Sequence, residues 1–128
     1  MIYLDSSVAL AHLLAEDRSP PEAVWGEILI SSRLLAYEVW NRIHARGLTK
    51  SHGDAARSVI GRLVLIELEP PVLTRALEPF PTPVRTLDAL HLASIEFMRS
   101  RHQTVELLTY DDRLSAAAQA LGIPRYAS

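Results

Sequence analysis

The chain has 128 residues, 48% hydrophobic and 22% charged, with a formal net charge of −2 and no cysteine. That length suits a single domain with its own core, and high apolar content with a small net charge excludes a disordered chain. The lack of cysteine excludes a disulfide scaffold, a thiolate metal site and a thiol nucleophile.

Ile2-Tyr3-Leu4 is a short uncharged apolar run, the pattern of a central strand covered on both faces. Ser6 or Ser7 is expected to cap a helix over Val8 to Leu14, apolar nearly all round and therefore buried. Ile28-Leu29-Ile30 reads as a second strand. Ser31 or Ser32 opens a helix that runs to about Arg46 and stops at Gly47. Ser51 to Asp54 has the form of a capping box, with Asp in place of Glu, ahead of a helix ending near Leu63. Ile66 to Glu69 alternates apolar and acidic residues, as a strand with one exposed face does. The prolines between Pro70 and Pro83 predict a long connection within the domain. Thr86 is expected to cap a strong helix to about Arg101, followed by a strand over Val105 to Thr109. A helix from Leu114 to Leu121, closed by Gly122, and a short edge strand at Pro124 to Tyr126 complete the chain. Strands alternating with helices predict one α/β domain over residues 1–128, with right-handed crossovers and a mostly parallel sheet. Such sheets place ligand sites beyond the carboxyl ends of their strands.

Acidic residues stand at those ends. Asp5 follows the first strand, and Asp111 and Asp112 follow the strand ending at Thr109. Asp88 shares a helical face with Leu92 and Ile95, amid Leu87, Ala89, Leu90, Ala93 and Phe97, which predicts a partly buried carboxylate. Such a group needs a cation, a proton or hydrogen-bond donors. Glu38 groups with Asn41, Arg42 and Ala45 and reads as a solvated helix residue, relevant only if its face lines the cleft. Each acid also has a plain structural role open to it. Asp5 and Asp111 or Asp112 can cap helices, Asp88 can favour the positive end of its helix, and Glu38 can pair with Arg42. Together they suit a hard divalent cation such as Mg²⁺, since such ions take oxygen ligands, relieve carboxylate repulsion and activate water.

At these positions the sequence resembles the PIN-domain family, specifically the VapC-type toxins of bacterial toxin–antitoxin pairs. The resemblance is carried by Ile2-Tyr3-Leu4-Asp5-Ser6-Ser7, Tyr37-Glu38-Val39, Arg85-Thr86-Leu87-Asp88-Ala89-Leu90-His91-Leu92-Ala93 and Leu108-Thr109-Tyr110-Asp111-Asp112-Arg113-Leu114, in order along nearly the whole chain. It implies a three-layer α/β/α sandwich and an Mg²⁺- or Mn²⁺-dependent endoribonuclease. Asp5, Glu38, Asp88 and Asp111 match the family's acidic quartet. Asp5 and Asp88 are the first choices as direct ligands; Glu38 and Asp111 either ligate or hold metal-bound waters. Ser6 and Thr109 are expected to hydrogen-bond within the site, and Asp112 to substitute for or assist Asp111. The resemblance further implies an RNA substrate, a homodimer and a small VapB-type antitoxin that covers the groove.

Arg42, Arg85 and Arg113 are candidates for RNA phosphate contact, with solvated charge or pairing to the acids as the default. All 13 Lys and Arg residues are arginine except Lys50; arginine suits phosphate recognition, but codon usage is the simpler account of that bias. His91 reads as a packed, satisfied histidine that could hydrogen-bond the site. His12, His44, His52 and His102 lack zinc-ligand spacing. Trp25, Trp40 and Tyr37 are expected in the core or at a dimer contact. Neither a basic, apolar leader nor a membrane-length run is present, so a cytoplasmic, membrane-free protein is expected. The competing reading is a noncatalytic RNA- or protein-binding module on the same fold. A phosphoacceptor receiver lacks its late-strand lysine, a haloacid-dehalogenase-type phosphatase lacks its second Asp at Ser7, and no GxGxxG or GxxxxGK[ST] motif occurs.

Overall fold

A computed structural model describes residues 1–127. Strands β1 (Ile2–Leu4), β2 (Leu29–Ser32), β3 (Val64–Ile66) and β4 (Glu106–Leu108) form one sheet in the order β3-β2-β1-β4. Every pairing is parallel, with Tyr3 opposite Ile30 on one side and Leu107 on the other. The helices are α1 (Ser6–Leu13), α2 (Leu34–Ala45), α3 (Thr49–Gly61), α4 (Pro70–Ala76), α5 (Thr86–Ser100) and α6 (Asp112–Ala120), with a 3₁₀ turn at Glu22–Gly26.

Side-chain alternation in β1 divides the core between the two faces of the sheet. Ile2 and Leu4 pack with Val8 of α1, Leu35, Val39 and Ile43 of α2, and Ala56 and Val59 of α3. Tyr3 points the other way, into Val72 of α4, Leu92 and Ile95 of α5, and Leu114 and Ala118 of α6. The result is the expected α/β/α sandwich, with β1 in its buried centre. Trp25 and Trp40 are partly buried against the first cluster, whereas Tyr37 is 65% exposed.

Several local expectations are corrected. Asp5, not Ser6 or Ser7, caps α1. Helix α2 starts at Leu34, where Ser32 Oγ accepts from the Leu34 N–H at 3.0 Å, while Ser31 Oγ instead donates to Leu4 O. There is no capping box at Ser51. Helix α3 begins earlier, at Thr49, and Ser51 Oγ donates back to Leu48 O. The third strand lies at Val64–Ile66 rather than Ile66 to Glu69, because pairing with β2 sets Ile66 opposite Ser32. As an edge strand it leaves Val64 63% exposed. The proline segment is not all connection: Pro70 and Pro71 occupy the first turn of α4, where a missing N–H loses no helical bond. Thr86 is the first residue of α5, and Arg85 holds the cap position. The final expected strand reduces to a single parallel bridge from Arg125 to Leu107, on the outer edge of β4.

Candidate active site

The carboxyl ends of the adjacent strands β1 and β4 deliver two acids to one rim. Asp5 leaves β1 with its backbone N–H on Leu108 O, and its side chain is only 5% exposed. A buried carboxylate must be matched by donors, and Asp5 Oδ2 accepts from Ser7 Oγ at 2.6 Å and Thr109 Oγ1 at 2.8 Å. Thr109 Oγ1 also accepts from the Asp111 N–H at 3.0 Å, and Ser7 Oγ from the Tyr110 N–H at 3.0 Å. Two hydroxyls thus tie the segment after β4 to the segment after β1. Asp111 is fixed by its own capping role, with Oδ1 accepting from the N–H groups of Arg113 and Leu114. Loss of the Thr109 hydroxyl removes a bond to a charged group, typically about 1.5–3 kcal/mol. Urea unfolding of Thr109→Val should therefore show a stability loss of that size, with Asp5 no longer held.

Asp88 lies in the first turn of α5, half-buried, and its Oδ2 is fully buried with no hydrogen-bond partner. Burial raises its pKa above the usual carboxylate range, and the negative charges of Asp111 and Asp5 add to this against the opposing Arg85. Glu38, on α2, is turned inward rather than solvated. Its Oε1 meets His91 Nε2 at 2.7 Å, so the expected pairing with Arg42 gives way to one with His91. Burial lowers the His91 pKa, but the Glu38 hydrogen bond and the charges of Glu38, Asp5 and Asp88 outweigh it, and the net shift is upward.

All four quartet positions line one cavity of about 500 Å³, together with Ser6, Ser7, Glu16, Asp17, Arg18, Arg42, His91 and Tyr110 among others. Ser6 faces the cavity, but the hydroxyl bonded to Asp5 belongs to Ser7. Asp112 and Arg113 are exposed on α6 and do not line the cavity, and Arg85 does not line it either. Arg85 instead borders a larger apolar cavity of about 640 Å³ between α4 and α5, which contains none of the quartet. Arg42 does reach the acidic cavity, and so does Arg18, whose guanidinium lies 4.3 Å from the centre of the Tyr110 ring. Sequence reasoning missed Arg18, Glu16 and Asp17, which sit in the loop after α1 with no periodic signal. It also gave Ser7 no site role.

Do these residues suit a divalent cation? Among the described residues no three acid or histidine groups already stand as a compact ligand cluster. The donor chemistry nevertheless fits: the quartet offers carboxylate oxygens, and Asp88 Oδ2 is a buried carboxylate oxygen with no hydrogen-bond partner. Mg²⁺ commonly binds through one or two carboxylates and retains several waters, so a tight protein cage is not required.

The PIN-domain family profile matches residues 2–120. The chain belongs to the PIN-domain family. Among curated relatives, it is similar to Ribonuclease VapC35 of Mycobacterium tuberculosis (strain ATCC 25618 / H37Rv), 33% identical with 96% of this chain and 93% of the relative covered. It is 34% identical to Ribonuclease VapC46 of the same strain, over 95% of this chain and 93% of the relative. Ribonuclease VapC47 of Mycobacterium tuberculosis (strain CDC 1551 / Oshkosh) is 29% identical over the same shares. The span that the family profile matches includes the positions of Asp5, Glu38, Asp88 and Asp111.

Proposed function

We propose that this PIN-domain protein is a metal-dependent endoribonuclease toxin of the VapBC type, with Asp5, Glu38, Asp88 and Asp111 as its site. The observation that carries this reading is the gathering of the four acids on one cavity, with the buried Asp88 Oδ2 unpartnered. The relatives' shared designation as ribonucleases supports the reaction class.

Asp5 and Asp88 would hold Mg²⁺ or Mn²⁺, with Glu38 and Asp111 binding it directly or through water. When bound, such an ion lowers the pKa of water and stabilises charge on a phosphoryl group. The protein's own part is positional. Ser7 and Thr109 hold Asp5 in one rotamer, the α6 N-terminus holds Asp111, and Arg18 and Arg42 are the basic groups on the wall of an otherwise acidic cavity. Those two arginines are suited to bind phosphates flanking the scissile bond. Water attacks phosphorus in line, the P–O3′ bond breaks, and the products carry a 5′-phosphate and a 3′-hydroxyl.

The physiological setting follows the same reading: a cytoplasmic homodimer, held inactive by a VapB-type antitoxin over the groove, that arrests growth when released. No helix of the described residues is long and apolar enough to cross a membrane. Incubating the purified protein with structured RNA tests the activity. Cleavage with Mg²⁺ or Mn²⁺, abolished by EDTA and by Asp5→Asn, is expected. Binding of RNA with no metal requirement and no cleavage would instead identify a noncatalytic module.

A further inference from the structure

His91 bridges three layers of the molecule. It projects from α5 and is only 2% exposed. Its Nε2 lies 2.7 Å from Glu38 Oε1 on α2, and its Nδ1 lies 2.7 Å from the hydroxyl of Tyr3 on β1. Tyr3 is fully buried, and its ring meets the imidazole edge-on at 85° with centroids 5.8 Å apart. A carboxylate only accepts hydrogen bonds, so Nε2 carries the proton shared with Glu38. The tyrosine hydroxyl can donate or accept, so the far end of the ring is satisfied in either charge state of the imidazole.

This arrangement does more than satisfy a core histidine. Glu38 is a long side chain on a helix whose neighbouring positions Tyr37 and Asn41 are exposed. Left alone, it would sample several rotamers and give up entropy to hold any one of them. The imidazole is itself locked by close packing and by Tyr3, and it takes one carboxylate oxygen. Among the described residues Glu38 Oε2 has no hydrogen-bond partner, and it belongs to a side chain that lines the cavity. We propose that His91 is a positioning residue that fixes Glu38 with one oxygen turned to the imidazole and the other left for the site. The central strand's Tyr3 serves as its anchor.

The proposal rests on the ribonuclease reading for its consequence but not for its geometry, and the test separates the two. His91→Gln places an amide N–H near the Nε2 position and leaves Tyr3 unpaired, whereas His91→Asn reaches only toward Tyr3. Mn²⁺ affinity, by electron paramagnetic resonance, and kcat and KM for RNA cleavage are measured for both, alone and combined with Glu38→Ala. Partners that orient a ligating residue are typically worth about 10–100-fold in metal affinity or activity. A loss of that order is expected for His91→Asn, with most of it restored in His91→Gln and no further loss when His91→Asn is added to Glu38→Ala. Equal losses in the two histidine variants, or a full additional loss on the Glu38→Ala background, would overturn the proposal and leave His91 a packing residue. Should the wild-type protein neither bind Mn²⁺ nor cleave RNA, the ribonuclease reading fails by itself. Ring ¹⁵N spectra then decide the positioning role: a displaced His91 Nε2 resonance in Glu38→Ala supports it, and an unchanged one refutes it.

Discussion

Replacing Asp88 with Asn is expected to lower metal-dependent RNA cleavage by about 10²–10³-fold, the range typical of deleting one group that stabilises transition-state charge. The same substitution should make the metal-free protein more stable, not less. The physical reason is the buried Oδ2, which has no donor, and the neighbouring Asp111 and Asp5, which raise the Asp88 pKa after burial has done so. A carboxyl group whose pKa is higher folded than unfolded favours the folded state most when it is protonated. Its contribution is fully present below the unfolded carboxylate pKa and is lost as the pH rises through the folded value. At neutral pH the charged Asp88 is therefore a burden on the metal-free fold, and the neutral amide removes it. Urea unfolding of wild type and Asp88→Asn across acid to neutral pH checks both points: the advantage of the variant should grow as the pH rises. An ordinary surface aspartate would give curves that run parallel.

A second large effect is expected from the cation itself. A ligand that binds only the folded state adds about 2.7 kcal/mol at a free concentration 100 times its Kd. For a domain of this size that corresponds to roughly a 10 °C rise in Tm. Thermal unfolding with increasing Mg²⁺ or Mn²⁺ should show this rise in wild type and little of it in Asp88→Asn or Asp5→Asn. The origin is electrostatic: a cavity lined by the quartet with Glu16 and Asp17, against Arg18 and Arg42, holds an excess of negative charge. Ca²⁺ is a useful comparison, because it also takes oxygen ligands but prefers more of them at longer distances.

Much of the architecture was legible in the sequence because it depends on short-range pattern. The run Ile2-Tyr3-Leu4 has the pattern expected of a strand covered on both faces, and it is the buried centre of the sheet. The helix from Thr86 carried a continuous apolar face and runs to Ser100, close to its expected end. Less was legible where pairing or loop geometry decides. The position of β3 depends on register with β2, which no local alternation reveals. Helix α4 was hidden by its prolines, since composition alone does not distinguish a first-turn proline from a loop proline.

The site divides in the same way. Asp88 stood out because an acid among apolar neighbours conflicts with its surroundings, and its buried, unpartnered oxygen is the structural counterpart. Glu38 did not stand out, since its helical periodicity is that of a solvated residue. What turns it inward is His91, 53 positions away in the chain. Ser7 and Thr109 are likewise separated by 102 positions, and their joint hold on Asp5 exists only once β1 and β4 pair side by side.

Four acids distant in sequence are proposed to form the seat of a divalent cation. A crystal of the protein soaked in Mn²⁺ and measured at the manganese absorption edge tests it most directly. An anomalous peak in the cavity bounded by Asp5, Glu38, Asp88 and Asp111, with Asp88 Oδ2 among its ligands or hydrogen-bonded to its waters, is expected. Saturating Mn²⁺ with no peak in that cavity, or a peak only elsewhere on the surface, would contradict it.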